Sequence, residues 1–155
     1  MPGVMITAEQ SKDLEKLLEG MLAQTEATAV YLCDYAGNII HRVVTEDQGP
    51  MEQTIAALAS GSFVATNELA MLIGEATFHS VYHKGEKASI YMQSLGQDYL
   101  VLVIFRNTTT VGLVKLYVDR TCQDLGLLLG VVDQQTEISG ETFTLDENAK
   151  LFGPG

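Results

Sequence analysis

Few residues of a type suited to chemistry share a useful spacing in this sequence. His79 and His83 are four positions apart, but the surrounding residues predict a strand, where that spacing separates the side chains by about 13 Å, too far to share a metal ion. His41 stands alone on another predicted strand. The histidines therefore predict no metal site, and we expect the protein to use neither a metal nor another cofactor.

Sequence motifs of catalytic sites are also missing. The chain contains no GxxxxGK(S/T) or GxGxxG phosphate-binding loop, no CxxC or HExxH motif, and no GxSxG motif. Asp34 precedes a predicted turn, and Asp119 with Arg120 is typical of a solvated surface pair. No base, nucleophile and orienting group are predicted to converge. We therefore expect no catalytic residues and predict that the protein is not an enzyme.

Composition narrows the class of partner. The chain has 155 residues, 46% of them hydrophobic, and a net charge of −11. These values suit one globular domain and argue against binding to nucleic acid or to an anionic membrane surface. The longest run of apolar residues and glycine, 125–132, is too short to span a membrane, and the first ten residues do not resemble a signal peptide. We expect a cytoplasmic protein, without membrane insertion, whose Cys33 and Cys122 are buried and reduced.

The rest of the chain is organised around one long predicted helix at residues 50–74, with Pro50 at its first position. At about 100° per residue, one stripe of this helix is predicted to pack on a sheet: Met51, Ile55, Leu58, Ser62, Leu69 and Ile73. A second stripe lies roughly opposite: Gln53, Ala57, Ser60, Val64, Asn67 and Met71. A helix that covers a single sheet face does not need apolar residues on this second stripe.

Small residues recur every four positions between the two stripes, at Ala57, Gly61 and Ala65. Small side chains let another backbone approach closely, and a glycine inside a helix costs about 1 kcal/mol relative to alanine. One interpretation is that the helix packs on its own sheet and also on a second element. The other is an alanine-rich helix in a crowded core. Periodicity leaves both open because it does not say what covers a face.

Two further helices and five strands are predicted around this helix. The helices are expected at residues 7–23, opening with a capping box, and from threonine caps at 108–110 to about residue 132. The strands are expected at 28–34, 39–44, 77–83, 88–95 and 99–105, joined by hairpins within each group. The last strand is apolar throughout and is expected to be covered on both faces. The predicted order is α-β-β-α-β-β-β-α, an α+β fold with an antiparallel sheet.

The end of the chain differs in composition from the rest. Residues 134–155 are mostly polar, carry four acids against one lysine and end in Gly-Pro-Gly. This composition predicts a flexible acidic tail that follows a folded domain at residues 1–133.

The order of elements and several local stretches resemble the Roadblock / dynein light chain domain family. Within it, the chain is most similar to prokaryotic members of the gliding-motility regulator type, called MglB. The similar stretches are AVYLCDYAGNII in the first hairpin, IAALASGSFVATNELAMLIGE in the middle helix, HSVYHKGEKASIYMQSLGQDYLVLVIF in the last three strands and TTVGLVKLYV in the last helix. Together the resemblance covers residues 7–132.

The resemblance implies a five-stranded sheet with the middle helix on one face and the first and last helices on the other. It also implies a homodimer formed through the middle helix and the edge strand that follows it. The paired middle helices would bind a Ras-like small GTPase of the MglA type. MglB-type members stimulate GTP hydrolysis without an arginine finger, and the middle helix here contains neither Lys nor Arg.

The resemblance places the contact residues for these two partners on the middle helix and the edge strand. On the helix they are Gln53, Ala57, Ser60, Gly61, Val64, Asn67, Glu68 and Met71. On the strand, which is expected to pair with the second copy, they are Phe78, His79, Ser80 and Val81. The sequence leaves open how dimerisation and GTPase binding divide the helix surface.

Two alternative functions stay open at this stage. A scaffold that recruits GTPases without changing their turnover would have the same sequence features. Small-molecule sensor domains use a similar layering, but they need a roomy cavity with a few convergent polar groups. The apolar strand at 99–105 and the leucine-rich helices predict a tightly filled interior instead.

Overall fold

The computed structural model describes residues 6–131, and in this range the order of elements is the predicted one. The elements are α1 (Ala8–Thr25), β1 (Ala29–Asp34), β2 (Ile39–Val44), α2 (Glu52–Leu72), β3 (Ser80–Lys84), β4 (Ala88–Leu95), β5 (Tyr99–Arg106) and α3 (Val111–Leu129). A short 3₁₀ turn, Gly49–Met51, leads into α2. The predicted domain boundary at residue 133 and the predicted tail at 134–155 lie outside the described residues.

The five strands form one antiparallel sheet in the order β2-β1-β5-β4-β3. Tyr99, at the start of the central strand β5, lies opposite Asp34 of β1 and opposite Leu95 of β4. The turns that follow β1 and β4 are therefore at the same end of the sheet, termed here the turn end. α1 and α3 pack on one face and α2 on the other, which confirms the predicted fold class and layering.

The helices on the α1 and α3 face follow their sequence signals closely. The N–H of Gln10 donates to Thr7 Oγ1 at 3.0 Å and the N–H of Thr7 donates to Gln10 Oε1 at 3.0 Å, so the predicted capping box is present. α3 ends at Leu129, earlier than predicted, because Gly130 takes a left-handed conformation with φ 65°. Apolar residues that recur at helical spacing along α3 are buried at Val114, Val118, Cys122 and Leu125.

α2 turns a different face to the sheet from the one predicted. Its buried residues are small apart from one ring: Ala56, Ala59, Ser60, Phe63 and Ala70. In the predicted sheet-facing stripe Leu58 is 70% exposed and Leu69 is 55% exposed. The prediction was wrong at these leucines because it assigned the largest aliphatic side chains to the core, whereas Ile55 of the same stripe is partly buried against the sheet. The alanines instead let the helix lie close to the sheet, and Phe63 fills the space beneath it.

β3 begins later than predicted, because the chain before it is tied to α2. Asn67 Oδ1 accepts hydrogen bonds from Thr77 Oγ1 at 2.8 Å and from the N–H of Phe78 at 3.1 Å. Phe78 and His79, both predicted to be strand residues, therefore precede the strand. β3 lies at one edge of the sheet, as predicted. Such an edge presents backbone groups that can pair with another strand.

Gly37, in the turn between β1 and β2, is expected to be intolerant of substitution. Its φ is +92°, and an added Cβ would lie 2.7 Å from the Cα of Ala57 on α2. We expect Gly37→Ala to lower the free energy of unfolding by about 3 kcal/mol, because it combines left-handed backbone strain with a clash against a helix backbone. Urea denaturation measures the loss.

Gly49→Ala is the matched control for this prediction. Gly49 also has a positive φ, +67°, but an added Cβ would meet nothing within 4 Å. We expect the left-handed backbone strain alone to lower the free energy of unfolding of this variant, by about 1–2 kcal/mol. Equal losses in the two variants would contradict a close approach of the turn to α2.

Candidate partner-binding surface

The side of α2 that points away from the sheet is apolar and exposed. We term it the outer face, formed by Leu58, Gly61, Ala65, Leu69 and Leu72. Leu72 is 83% exposed, and the neighbouring Met71 and Ile73 are 70% and 64% exposed. A contiguous apolar surface of this kind on a folded domain marks an interaction site.

One flank of α2 is fastened to the turn end of the sheet. Gln53 Nε2 donates a hydrogen bond to the carbonyl of Gly37, and Ser60 Oγ donates to the carbonyl of Asp34 at 3.2 Å. Ala57 lies against Gly37. Three of the predicted contact residues thus pack on the β1–β2 turn. Ser60 is only 1% exposed, so it does not contribute to the exposed surface.

The carboxylate of Asp34 organises this turn. Its Oδ1 accepts from the N–H groups of Ala36 at 3.0 Å and Asn38 at 2.8 Å, and its Oδ2 accepts from Asn38 Nδ2 at 2.9 Å. Burial by itself would raise the pKa of Asp34, but these hydrogen bonds, those from Asn38 foremost, outweigh it and lower the pKa below its ordinary value. Asp34 is therefore a charged residue that stabilises the turn, which agrees with its predicted position before a turn.

A second set of polar contacts holds the start of α2. Tyr31 Oη donates to Glu52 Oε2 at 2.9 Å, and Arg42 Nε donates to the same oxygen at 2.8 Å. Burial and then the hydrogen bond to Glu52 raise the pKa of Tyr31 well above its ordinary value, which keeps the hydroxyl a donor. These contacts fix the helix on the sheet. They also pair the Arg42 guanidinium with a carboxylate of its own chain.

The sheet face beside α2 is only partly covered. Ile104 is half-buried, whereas every other residue from Tyr99 to Phe105 on β5 is buried. Ile90, which pairs with Ile104, and Val81 on β3 are half-buried too, and all three lie on the α2 side of the sheet. The expectation that β5 is covered on both faces is therefore wrong at Ile104, because α2 lies across the turn end. We term Ile104, Ile90 and Val81 the open sheet patch.

A groove of about 420 Å³ opens along the flank of α2 at the turn end. The helix contributes Val64, Asn67, Glu68 and Met71. The loops contribute Tyr35, Ala76, Thr77, His79, Gly96 and Gln97, and β4 contributes Ser94. The groove therefore brings together half of the contact residues predicted on the helix and one of those predicted on the strand, His79.

Sequence reasoning missed the outward position of the large aliphatic residues on α2. Met51, Leu58, Leu69 and Ile73 were assigned to the sheet, yet each is more than half exposed. The available signal was the recurrence of small residues around Phe63 at spacings of three, four and seven, which matches a helix face as well as the aliphatic stripe does.

The described residues bring no metal-binding set together. Among residues 6–131, no three His, Cys, Asp or Glu side chains are close enough to hold a metal ion. Cys33 is a buried free thiol, and burial, followed by the charge of Asp34, raises its pKa to about 12. A thiol with so high a pKa is a poor nucleophile. The arrangement suits binding of a protein surface.

One helix in residues 6–131, Gly49–Leu72, is long and apolar enough to cross a membrane by length and composition alone. Only 28% of its most apolar stretch is buried. The search for unbroken apolar runs in the sequence missed this property, because polar residues interrupt the helix. A single helix of this kind is weak evidence for a membrane span, and Phe63 and two alanines of α2 pack on the sheet.

Comparison with known proteins gives consistent results for family and for fold. The family model described as Roadblock/LC7 domain matches residues 13–105. The fold is similar to a structure described as MglB with a tetrameric arrangement, at a TM-score of 0.78 and 27% identity, covering 84% of this chain and 97% of that one.

Two further solved structures are similar over most of their length. The gliding protein MglB from Thermus thermophilus has a TM-score of 0.77 and 28% identity, covering 84% of this chain and 98% of that one. MglB from Myxococcus xanthus has a TM-score of 0.68 and 31% identity, covering 73% of this chain and 91% of that one. Since the family model spans α1 to β5 and the fold agrees, the chain belongs to the Roadblock/LC7 domain family.

Proposed function

We propose that this protein is a homodimeric regulator of a Ras-like small GTPase of the MglA type, and that it accelerates GTP hydrolysis without an arginine finger. The observation that carries the proposal is the exposed apolar outer face of α2 beside an open sheet patch, in a chain whose fold is similar to MglB. Both apolar surfaces need a protein partner, and the likeness to MglB supports a regulator over an enzyme.

The second copy is proposed to cover the open sheet patch and the side of α2 next to it. Leu58 and Leu69 lie on that side, opposite the flank fastened to the turn end. β3 is an edge strand at the border of the same patch, and its Ser80 and Val81 would pair with the second copy. Phe78 and His79, tied to α2 or to the groove, are less suited to that pairing.

The GTPase is proposed to bind the remaining surface of the paired helices. That surface includes Gly61 and the groove side of α2, where Val64, Glu68 and Met71 are exposed. An apolar centre with a polar rim is the usual composition of a reversible protein interface. The net charge of −11 favours a protein over nucleic acid or an anionic membrane surface, and we propose a cytoplasmic location without membrane insertion.

The decisive experiment measures single-turnover GTP hydrolysis by the MglA-like GTPases of the source organism, with and without this protein. The proposal requires one of them to bind in its GTP form and to hydrolyse faster. Binding without acceleration would establish the scaffold alternative. If none bound, a small-molecule sensor role would take first place, with the groove as its site.

Removing Arg106 or Arg120 is expected to leave most of the stimulation intact. Arg106 donates to both carboxylate oxygens of Glu46, at 2.6 and 2.8 Å, and Arg120 lies over the ring of Tyr117 on α3, on the far side of the sheet. We expect Arg106→Ala and Arg120→Ala to change the stimulated rate by less than about threefold, whereas loss of an arginine finger costs about 10³–10⁵.

Binding of the GTPase must be measured alongside the rate in these variants. Abolished stimulation with intact binding in either variant would show that this chain inserts an arginine and would overturn the indirect mechanism.

A further inference from the structure

We propose that the groove between α2 and the turn end receives an arginine or lysine side chain of the protein partner, with the Glu68 carboxylate as its counter-charge. The inference rests on the proposed function, since the incoming side chain belongs to the GTPase that covers the neighbouring part of α2. It assigns the groove to the GTPase and the opposite flank of the helix to the second copy.

The charge of the groove is the first argument. Glu68 is the single Asp or Glu among the groove-lining residues, and these include no Lys or Arg. Glu68 is exposed, and none of the ion pairs within residues 6–131 involves it. The groove also lies beside the C-terminal turn of α2, which has no basic residue and whose dipole favours a cation. A cation is therefore attracted to this position, where His79 is the one groove-lining side chain that can itself carry a positive charge.

The chemistry of the walls is the second argument. Val64, Met71 and the ring of Tyr35 offer apolar surface, while Glu68 and the amide of Gln97 offer polar groups. Arginine and lysine side chains have an apolar stem and a charged tip, so they use both kinds of surface at once. The guanidinium or ammonium group also interacts favourably with the face of an aromatic ring.

The shape of the groove favours a side chain of a protein over a small molecule. Sites for small molecules enclose most of the ligand, whereas this groove is partly open to solvent. Val64 and Met71 line the groove and are themselves exposed next to the outer face. A protein that covers the outer face would therefore close the groove over its own side chain.

The test compares Glu68→Gln with Glu75→Gln. Both variants remove one negative charge, but Glu75 is exposed just beyond α2 and does not line the groove. Calorimetry with the GTPase loaded with a non-hydrolysable GTP analogue gives the dissociation constants. We expect Glu68→Gln to weaken binding about tenfold, as for a lost charge-assisted contact, and Glu75→Gln to weaken it less than about twofold. Glu68→Arg should bind more weakly still and should recover when one Lys or Arg of the GTPase is replaced by Glu.

Several results would overturn the inference. Equal weakening of GTPase binding in the two glutamine variants would show that Glu68 acts only through the net charge of the protein. A rise in the dimer dissociation constant of Glu68→Gln, with GTPase binding unchanged, would assign the groove to the second copy. A small molecule seen by native mass spectrometry on the wild type and absent from Glu68→Gln would assign it to a ligand. If the wild type bound no GTPase, the proposed function would fail together with this inference, whereas the other results leave that function standing.

Discussion

Replacing Leu69 by glutamate is expected to convert the proposed dimer into a monomer at micromolar concentration. Leu69 is 55% exposed in the single chain, so the substitution should leave the fold of the protomer intact. In the dimer the introduced carboxylate would be buried without a partner. The loss of its hydration would make dimerisation less favourable. We expect the dimer dissociation constant to rise by at least about a hundredfold, the range of a central interface residue. Sedimentation velocity over a range of protein concentrations measures it.

Leu127→Glu is the matched control for Leu69→Glu. Leu127 is 83% exposed on α3, on the opposite side of the sheet from α2. This variant introduces the same charge at an exposed helix position, and we expect it to remain dimeric. If Leu69→Glu also remained dimeric, the second copy would not cover this side of α2.

The small residues of the outer face provide an independent variant. An added Cβ at Gly61 would meet nothing within 4 Å, so the protomer has room for Gly61→Leu, while a closely approaching helix would not. Gly20→Leu on α1 is its control, because Gly20 is also a helix position with nothing within 4 Å. We expect Gly61→Leu to weaken binding of the GTPase, to whose surface Gly61 is assigned, and Gly20→Leu to leave that binding unchanged. A folded, dimeric Gly61→Leu that still binds the GTPase would show that neither partner approaches closely there.

Phe63→Ala is expected to be the most destabilising single substitution on the α2 side of the sheet. Phe63 is fully buried and is the one large side chain among the buried residues of α2. Its buried neighbours on α2 are alanines and a serine, which cannot close the cavity that would be left. We expect a loss of about 3–5 kcal/mol, which is a large share of the roughly 5–15 kcal/mol typical of a domain.

Urea denaturation at one fixed protein concentration measures this loss, since dimerisation makes the apparent stability depend on concentration. Met71→Ala is the control, because Met71 is 70% exposed on the same helix, and we expect it to change stability by less than about 0.5 kcal/mol. A loss below about 1 kcal/mol in Phe63→Ala would mean that α2 is not held on the sheet by this ring.

The sequence by itself determined the elements and their order. Two of these elements depend on contacts between residues that are close in the chain: the capping box of Thr7 and Gln10, and the turn at Asp34 and Gly37. The strand β5 depends on the unbroken apolar character of one segment. Such local signals are visible without knowledge of the fold. The absence of catalytic motifs was visible in the same way.

Only the tertiary structure decided which face of α2 meets the sheet. Two faces of this helix are apolar enough to be buried, one built from alanines around Phe63 and one from larger aliphatic residues such as Leu58 and Leu69. Periodicity records that a face is apolar, but it does not say whether the chain's own sheet or another molecule covers it. The groove at the turn end and the half-buried Ile104 were equally invisible, because both arise where segments distant in sequence meet. The surface that a partner would bind is therefore set by packing. The alanines bring α2 close to one end of the sheet, and that placement leaves the leucines exposed and the other end of the sheet only partly covered.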